Sequence, residues 1–398
     1  MAQPSRSSSA AADVIVIGGG IIGSSVALRL AQARLRVSVF DRGEPGAEAS
    51  SAAAGMIAPQ SEPVESGAFF ELCLASHNLY PDFVTEMEEL AEAHVDYRRD
   101  GCLLVALDDE EGRQLDDHYE GQKKLGLPVE RLSAEQARRQ APGLSPFIRG
   151  ALFLPHDHWV DNERLTRAVV RAGERQGVTF FRGAAVRQVN LRQGRAASVE
   201  VEDPIGLRLT FPAEHFVLAA GCWSPEIAAS VGAKLAMQPC RGQMIEFECP
   251  KEFPIIVRAG HHYIVPRSER RLLLGTTSEY AGFSKAVTVD GMRSILEGAA
   301  RLVPLVGECT FRRAWAGLRP DTADHRPILG TDTIPNLVFA TGHFRNGILL
   351  APITAAIVSE IVLTGSTSRS LDPYRPGRFR QGFDRQTRTH RAAGPGRD

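Results

Sequence analysis

Three glycines near the start of the chain have the spacing that phosphate binding requires. Gly18, Gly20 and Gly23 form a G-x-G-x-x-G pattern, and Asp41 follows them about twenty residues later. Glycines at these positions permit a tight turn, a close approach of the backbone to a pyrophosphate, and close packing of a helix on a strand. A carboxylate at Asp41 can accept hydrogen bonds from ribose hydroxyls. The spacing therefore predicts a dinucleotide-binding site.

The segments around these residues predict the βαβ unit that positions them. An apolar run at residues 13–17 precedes the glycines, a helical apolar pattern follows them, and a short strand at residues 37–40 ends at Asp41. The helix N-terminus would present N–H groups and a partial positive charge to phosphates. The strand, the helix, the second strand and the acid occur in the order and at the spacing of a dinucleotide-binding unit. Such a unit is therefore favoured over a Gly-rich turn in an unrelated α/β domain.

Two further junctions of the same kind indicate which dinucleotide is bound. Apolar strands also run into Gly221 and into the segment that ends at Gly347, and a helical pattern follows each of them. Three such junctions on one sheet suit a long ligand that lies across the strand ends. The helix after Gly347 would stabilise negative charge on a reduced flavin. The sequence has no second G-x-G-x-x-G, so FAD is expected rather than NAD.

Composition limits the class of protein. The 398 residues are 43% apolar and 23% charged with a net charge of -1, which suits a soluble globular enzyme and gives no nucleic-acid signal. The six cysteines form no C-x-x-C pair and are predicted to be reduced, buried thiols of a cytoplasmic protein. The longest apolar stretch, residues 348–363, contains Pro352 and Glu360 and is expected to be too short to span a bilayer.

The order of predicted elements indicates an interleaved α/β fold. A Rossmann-like FAD-binding domain is assigned to residues 13–85, 145–235 and 316–365, because these ranges hold the three glycine junctions. An antiparallel or mixed-sheet α+β substrate domain is assigned to residues 86–144 and 236–315. Residues 1–12 are predicted to be a disordered extension. Residues 366–398 form a basic tail that is either solvated or in contact with an acidic surface or a neighbouring subunit.

Five stretches spread over most of the chain match one known family. They are residues 14–23, 50–56, 261–267, 315–320 and 342–352. In these stretches the sequence resembles the D-amino-acid-oxidase-type flavoproteins, and among them most closely the glycine oxidases of thiamine biosynthesis. The resemblance implies FAD-dependent oxidative deamination of glycine and other small amines or D-amino acids. It implies hydride transfer to the flavin and reduction of O2 to H2O2.

The resemblance also implies a biological setting. The imine or glyoxylate product would supply the thiazole branch of thiamine synthesis, and the enzyme would be a homotetramer. Two alternatives remain open, namely a D-amino-acid dehydrogenase that passes electrons to a quinone, and a sarcosine oxidase. The sequence does not rank glycine, sarcosine and small D-amino acids as substrates.

Three residues are assigned to the substrate by the same resemblance. Arg319 and Arg345 would bind its carboxylate, since a guanidinium can hold a carboxylate by two hydrogen bonds, and Tyr263 would add a hydroxyl donor. Other interpretations stay open: an ion pair of Arg319 with Asp321 or Asp324, a contact of Arg345 with backbone carbonyls, and a core position for Tyr263. No catalytic base is assigned, because hydride transfer needs mainly proximity and orientation.

The cofactor residues come from the glycine motif, the small-residue run at 46–56 and the resemblance. FAD is expected to be bound non-covalently, because no cysteine occurs between Gly317 and Thr322. No metal site is predicted, and His156 and His158 are expected to be core or turn histidines. The predicted cofactor residues are Gly18, Gly20, Ile21, Ile22, Gly23, Asp41, Arg42, Ser50, Ser51, Ala54, Gly55, Met56, Val186, Ala220, Gly221, Trp223, His343, Arg345, Asn346, Gly347, Ile348 and Leu349.

Overall fold

The computed structural model describes residues 12–61 and 67–379. The strands of these residues are β1 (Ala12–Ile17), β2 (Val37–Phe40), β3 (Met56–Ile57), β4 (Tyr97–Arg98), β5 (Cys102–Ala106), β6 (Glu130–Ser133), β7 (Gly150–Leu154), β8 (His158–Val160), β9 (Thr179–Phe181), β10 (Ala185–Arg192), β11 (Arg195–Glu202), β12 (Arg208–Leu218), β13 (Met237–Glu248), β14 (Ile256–Ala259), β15 (His262–Arg267), β16 (Arg271–Gly275), β17 (Thr310–Thr322), β18 (Ile328–Gly330) and β19 (Leu337–Thr341). The α-helices are α1 (Ile21–Gln32), α2 (Ala49–Ala52), α3 (Ala68–Ala91), α4 (Asp109–Lys124), α5 (Ala134–Gln140), α6 (Asn162–Arg175), α7 (Ser224–Ala229), α8 (Val289–Leu302) and α9 (Gly347–Thr364).

The first sheet has a parallel core in the order β2, β1, β12 and β19. Its apolar strands are buried on both faces, as expected of parallel strands. Helices α1, α3, α6 and α9 cover one face, and the β10–β11 hairpin with α7 covers the other. The predicted fold class, a Rossmann-like domain interleaved with a second sheet, is confirmed.

The sequence predicts a meander strand at residues 207–211 and a separate apolar strand before Gly221, and β12 joins the two. Its first half pairs antiparallel with β11, and its second half pairs in parallel with β1. The predicted meander strand and the strand before Gly221 are therefore one continuous element. Strands β1, β12 and β19 end at the same edge of the sheet, so the three glycine junctions lie together, as predicted.

Two helices differ from their predicted forms. The sequence predicts a helix over residues 69–95 that is interrupted at Pro81, but Pro81 lies inside α3 and does not interrupt it. The apolar helix α9 is, among the described residues, the one helix that is long and apolar enough to cross a membrane. That result corrects the expectation that the stretch is too short. However, 72% of its apolar window is buried inside the protein, where it packs on α1 and α3.

The second sheet has the order β17, β13, β16, β15, β14, β5, β7 and β6. Helix α8 packs its apolar side on one face of this sheet. The opposite face carries Tyr263 and Met244, which line a cavity towards the first sheet, and Trp159 of β8 packs against this face. A small sheet of β3, β8 and β4 lies beside it.

Two of the predicted domain limits divide the second sheet. They place β7, and the part of β17 from residue 316 onward, in the FAD-binding domain. Strand β7 lies after residue 145, and β17 spans residue 316. Both strands pair within the second sheet, so limits near residues 155 and 323 would follow the hydrogen-bonding pattern better. The division into two domains stays a prediction.

The cysteine prediction is wrong for one pair. Cys249 and Cys309 form a disulfide, because the antiparallel pairing of Glu248 with Thr310 brings the next residues opposite each other. The other four cysteines are buried and lie outside the disulfide.

The basic tail is folded in its first part. Tyr374 is buried, and Arg378 donates to both carboxylate oxygens of Asp324 at 2.8 and 2.9 Å. The expectation of a solvated tail is therefore wrong for the part around Tyr374 and Arg378, whereas residues 368–370 are exposed. The rest of the predicted tail and the extension at residues 1–11 lie outside the described residues.

Candidate active site

A cavity of about 530 Å³ lies where β1, β12 and β19 end, between the first and second sheets. Most of the predicted residues line it: Gly18, Gly20, Ile21, Ile22, Asp41, Arg42, Ser50, Ala54, Gly55, Met56, Val186, Ala220, Gly221, Trp223, Tyr263, Arg319, His343, Arg345, Asn346, Gly347 and Ile348. The structure thus gathers residues from both ends of the chain around one space.

Three predicted cofactor residues do not line the cavity. Gly23 lies against the carbonyl oxygen of Gly18, which a Cβ at residue 23 would overlap. Its role is to close the turn. Ser51 donates from Oγ to the carbonyl of Glu48 at 3.1 Å, and Leu349 is buried in the core around α9. These residues support the cavity wall without forming it.

The N-terminus of α1 forms one wall. Its first turn contains no acidic side chain, and Gly20 at the N-cap provides no side-chain acceptor. The backbone N–H of Ile21 donates to Ser50 Oγ at 2.9 Å. A helix N-terminus without its own acid attracts anions, so this wall fits a pyrophosphate.

Helix α9 presents a second N-terminus to the cavity. Asn346 at its N-cap makes no side-chain cap, and its first turn also lacks an acid. By contrast, α4, α5, α6 and α8 are capped by side chains of Asp108, Ser133, Asp161 and Thr288. The two helix ends at the cavity are thus left for a ligand, whereas these other four are satisfied by the chain itself.

Asp41 lies beside the glycine turn. Its Oδ2 accepts from the N–H of Gly19 at 2.7 Å, and its Oδ1 accepts from the N–H of Gly43 at 2.8 Å. Burial raises the pKa of Asp41, while these two hydrogen bonds oppose the rise. The two hydrogen bonds therefore hold the Asp41 carboxylate in place at the cavity wall. The guanidinium of the next residue, Arg42, lies 4.4 Å from the centre of the Trp223 ring.

The substrate end of the cavity is on the second sheet. The sequence predicts Arg319 in a rigid turn that follows a strand and precedes Pro320, but Arg319 lies within β17. Its guanidinium donates to Thr277 O at 3.0 Å and to Thr276 Oγ1 at 2.7 Å. No ion pair with Asp321 or Asp324 is found over the described residues. Asp321 instead binds Tyr280 and His325, and Asp324 binds Arg378.

Two glycines make room for the polar side chains of the substrate end. A Cβ at Gly242 would overlap the Arg319 guanidinium, and a Cβ at Gly275 would overlap the Tyr263 ring. The Tyr263 hydroxyl donates to Met244 Sδ at 3.2 Å. Because Met244 pairs with Gly275 and Gly242 pairs with Gly317, the hydroxyl and the guanidinium lie over adjacent positions of the sheet.

Sequence reasoning missed Gly242, Gly275, Gly317 and Met244. A signal was present, since glycines inside strands often mark a close approach of another group. The partners of these glycines are set by strand pairing, which local sequence does not reveal.

At the far end of the cavity the chain adds Arg187, Glu202, Asp203 and Pro204 next to the predicted Val186.

Two histidines, His343 in the cavity wall and His158 on β8, are buried. Burial lowers the pKa of His343 to about 3, and its Nε2 lies 3.0 Å from Thr354 Oγ1. His158 lies 2.7 Å from the Tyr97 hydroxyl, and burial lowers its pKa to about 3. Over residues 12–61 and 67–379, no cluster of three or more His, Cys, Asp or Glu could hold a metal ion.

Comparison with known proteins matches most of the chain to one family. The family model described as DAO, FAD dependent oxidoreductase, matches residues 13–361. The chain is 34% identical to glycine oxidase of Geobacillus kaustophilus, over 91% of this chain and 96% of that relative. The crystal structure of glycine oxidase from Geobacillus kaustophilus matches with a TM-score of 0.87 at 33% identity, covering 92% of this chain and 98% of that one.

Some relatives are longer. The chain is 34% identical to the bifunctional protein ThiO/ThiG of Trichormus variabilis, over 93% of this chain and 55% of that relative. The chain spans about half the length of the bifunctional relatives it matches.

Proposed function

Because the chain belongs to the DAO family of FAD-dependent oxidoreductases, we propose that it oxidises the amine of glycine and similar small amino acids. The observation that carries this proposal is the arrangement of one continuous cavity. The glycine turn of a dinucleotide site forms one part of it. Arg319, Arg345 and Tyr263, which suit a small carboxylate, line another part.

The residues present fit FAD. The two uncapped helix N-termini, at Ile21 and Gly347, suit the pyrophosphate and a ring that gains negative charge on reduction. Gly317 lies against Ala52, where a Cβ would overlap, so this part of the wall has no room for a larger side chain. When bound, FAD supplies the oxidant, which takes a hydride from the carbon that bears the amine.

The chain's own residues bind and orient the substrate. Arg319, held by Thr276 and Thr277, would receive the substrate carboxylate together with Arg345. The Tyr263 hydroxyl would donate to the same carboxylate in place of Met244 Sδ. With the carboxylate fixed, the Cα–H bond is oriented, and no side chain is assigned as a base.

The reaction balances as a two-electron oxidation. The amine loses a hydride from carbon and a proton from nitrogen to become an imine, which water converts to a keto or aldehyde acid and ammonia. The two electrons pass to O2 and give H2O2. The proposal also includes an imine supplied for thiazole synthesis, a cytoplasmic location and a homotetramer, as the resemblance to the glycine oxidases of thiamine biosynthesis implies.

A peroxide assay tests this function. The purified protein with bound FAD should release H2O2 with glycine, sarcosine or D-alanine and without any added electron acceptor. Under anaerobic conditions the same amino acids should bleach the visible absorbance of the flavin. Bleaching without peroxide would identify a dehydrogenase, and no bleaching with any of the three would overturn the proposal.

A further inference from the structure

The segment between Ser50 and Met56 forms a wall of the cavity and is held from behind by its backbone carbonyls. Asn162 Nδ2 donates to Ser50 O at 2.8 Å and to Ser51 O at 3.0 Å. Trp315 Nε1 donates to Ala52 O at 3.1 Å. Arg267 Nη2 donates to Ala54 O at 2.6 Å. Three side chains thus bind four carbonyls in a run of five residues.

Arg267 is unusual because its charge is buried without a carboxylate in contact. Its side chain is 5% exposed, and its hydrogen bonds over the described residues go to Ala54 O, Asn162 Oδ1 and Pro266 O. It also lies 4.8 Å from the centre of the Trp159 ring. Burial lowers the pKa of Arg267 to about 10, so it stays charged at neutral pH. A buried cation of this kind costs folding free energy, which indicates a role beyond packing.

The three donors come from both halves of the protein. Asn162 is the first residue of α6, which packs on the first sheet, whereas Arg267 and Trp315 lie on β15 and β17 of the second sheet. Arg267 also binds Asn162 Oδ1 at 3.2 Å, so the donors are linked to each other. The segment they hold is therefore fixed relative to both sheets at once.

We propose that Asn162, Arg267 and Trp315 form a backbone clamp that positions the 50–56 segment against FAD. This inference rests on the proposed function, because it requires FAD in the cavity. The residues of the clamp are positioning residues and act through Ala52, Ala54 and Met56. The buried charge of Arg267 adds positive potential behind the same wall, which favours the reduced, negatively charged form of the flavin.

Arg267→Met tests the clamp, because it keeps the aliphatic length and removes the charge and the donors. We expect the Kd for FAD, measured by flavin fluorescence, to rise tenfold or more, and the visible flavin spectrum to shift. In the loaded enzyme, kcat for glycine should fall while KM changes less than twofold, because Tyr263, Arg319 and Arg345 are untouched. Arg267→Lys should restore part of the affinity and the spectrum. Arg270→Met, on the exposed turn after β15, is the matched control.

Trp315→Phe covers the case in which Arg267→Met does not fold. It keeps an aromatic ring and removes only the Nε1 donor, so the Kd for FAD should rise about threefold, as expected for one hydrogen bond. A wild-type chain that binds no FAD would overturn both this inference and the proposed function. If the wild type binds FAD and the folded variants match its Kd and spectrum within twofold, the clamp alone is overturned. Both readouts are independent of which amino acid is oxidised.

Discussion

Arg319 differs from neighbouring arginines of the second sheet in the partners it has. Arg271 and Arg313 both bind the buried carboxylate of Glu246, and Arg241 binds Glu279. Arg319 donates to the hydroxyl of Thr276 and the carbonyl of Thr277, and it also hydrogen-bonds to the Cys240 thiol. These neutral acceptors orient the guanidinium without cancelling its charge. A substrate carboxylate would therefore be its first anionic partner.

Replacing Arg319 should affect the substrate and leave the cofactor bound. For Arg319→Ala we expect kcat/KM for glycine to fall on the order of 100-fold, mainly through KM, because a charge-assisted bidentate contact is lost. Arg319→Lys should recover little, since an ammonium lacks the planar pair of donors. Steady-state peroxide kinetics and FAD titration measure both effects. Loss of FAD from either variant would show that Arg319 belongs to the cofactor site.

Much of this site could be predicted at the level of single residues. The glycine turn, Asp41 and Arg319 were found because a local pattern or a family motif marks them, and all line the cavity. The neighbours of Arg319 could not be found in this way. Thr276, Thr277 and Gly242 reach it through strand pairing across many residues of sequence, which no local pattern encodes.

At the scale of elements, the alternation of β-strands explains the site. Side chains of a strand point alternately to opposite faces, so Trp315, Gly317 and Arg319 of β17 share the face that borders the cavity. Tyr263 and Arg267 share the equivalent face of β15. The opposite face packs on α8. One surface of the sheet thus carries two substrate residues, Tyr263 and Arg319, and two members of the clamp, Arg267 and Trp315.

Gly242→Ala should therefore disturb substrate binding from the opposite strand. The added Cβ would overlap the Arg319 guanidinium and displace it, so we expect KM for glycine to rise about tenfold, equivalent to roughly 1.4 kcal/mol. The Kd for FAD should stay within twofold. Gly112→Ala in α4 is the matched control, because its Cβ would meet no atom within 4 Å and should leave KM unchanged. An unchanged KM in Gly242→Ala would contradict the role of this close approach.

The folded part of the C-terminal tail is a second element with a measurable contribution. Truncation after Gly365 removes Tyr374, which is 2% exposed, and the pairing of Arg378 with Asp324. We expect the free energy of unfolding to fall by about 2–4 kcal/mol, from the lost aromatic burial and the carboxylate left without its partner. Truncation after Phe379 keeps these contacts and serves as the control. Urea unfolding of the two truncated proteins measures the difference. Equal free energies of unfolding would contradict a stabilising role of the folded part of the tail.

Sequence patterns located elements better than their connections. The sequence predicts a helix over residues 289–302, which matches α8, and it predicts Asp161 as the cap of the helix that is α6, where its side chain accepts from the N–H of Arg164. The continuity of β12 could not be predicted, because Pro212 and the charged residues after it are typical of a break. Their tolerance depends on pairing with β11 on one side and β1 on the other. Tertiary partners, absent from the local sequence, decide such cases.

At the scale of the whole molecule, the disulfide gives a test of the compartment. Disulfides are rare in cytosolic proteins, yet Cys249 and Cys309 are joined. Cells lysed in denaturant with an alkylating agent and no reductant should yield protein with four alkylated cysteines. Replacing both residues by Ser should lower the free energy of unfolding by up to about 4 kcal/mol, because the link closes a long loop of the unfolded chain. Alkylation of all six cysteines would mean that the pair stays reduced in cells.

Acid should destabilise the whole protein through its buried histidines. The pKa values of His158 and His343 are lowered to about 3, against about 6.5 in the unfolded chain. Between these values the unfolded state binds more protons, so the free energy of unfolding falls as the pH drops below about 6.5. Each histidine should contribute a loss of about 2 kcal/mol between pH 7 and pH 5.

Urea unfolding of the FAD-saturated protein at several pH values measures this slope. His158→Gln keeps an acceptor for the Tyr97 hydroxyl and removes the titrating ring, so it should flatten the slope by about 1.4 kcal/mol per pH unit. The effect should vanish at pH 8, where the histidine is neutral in both states. A variant with the wild-type slope would show that His158 is protonated in the folded protein.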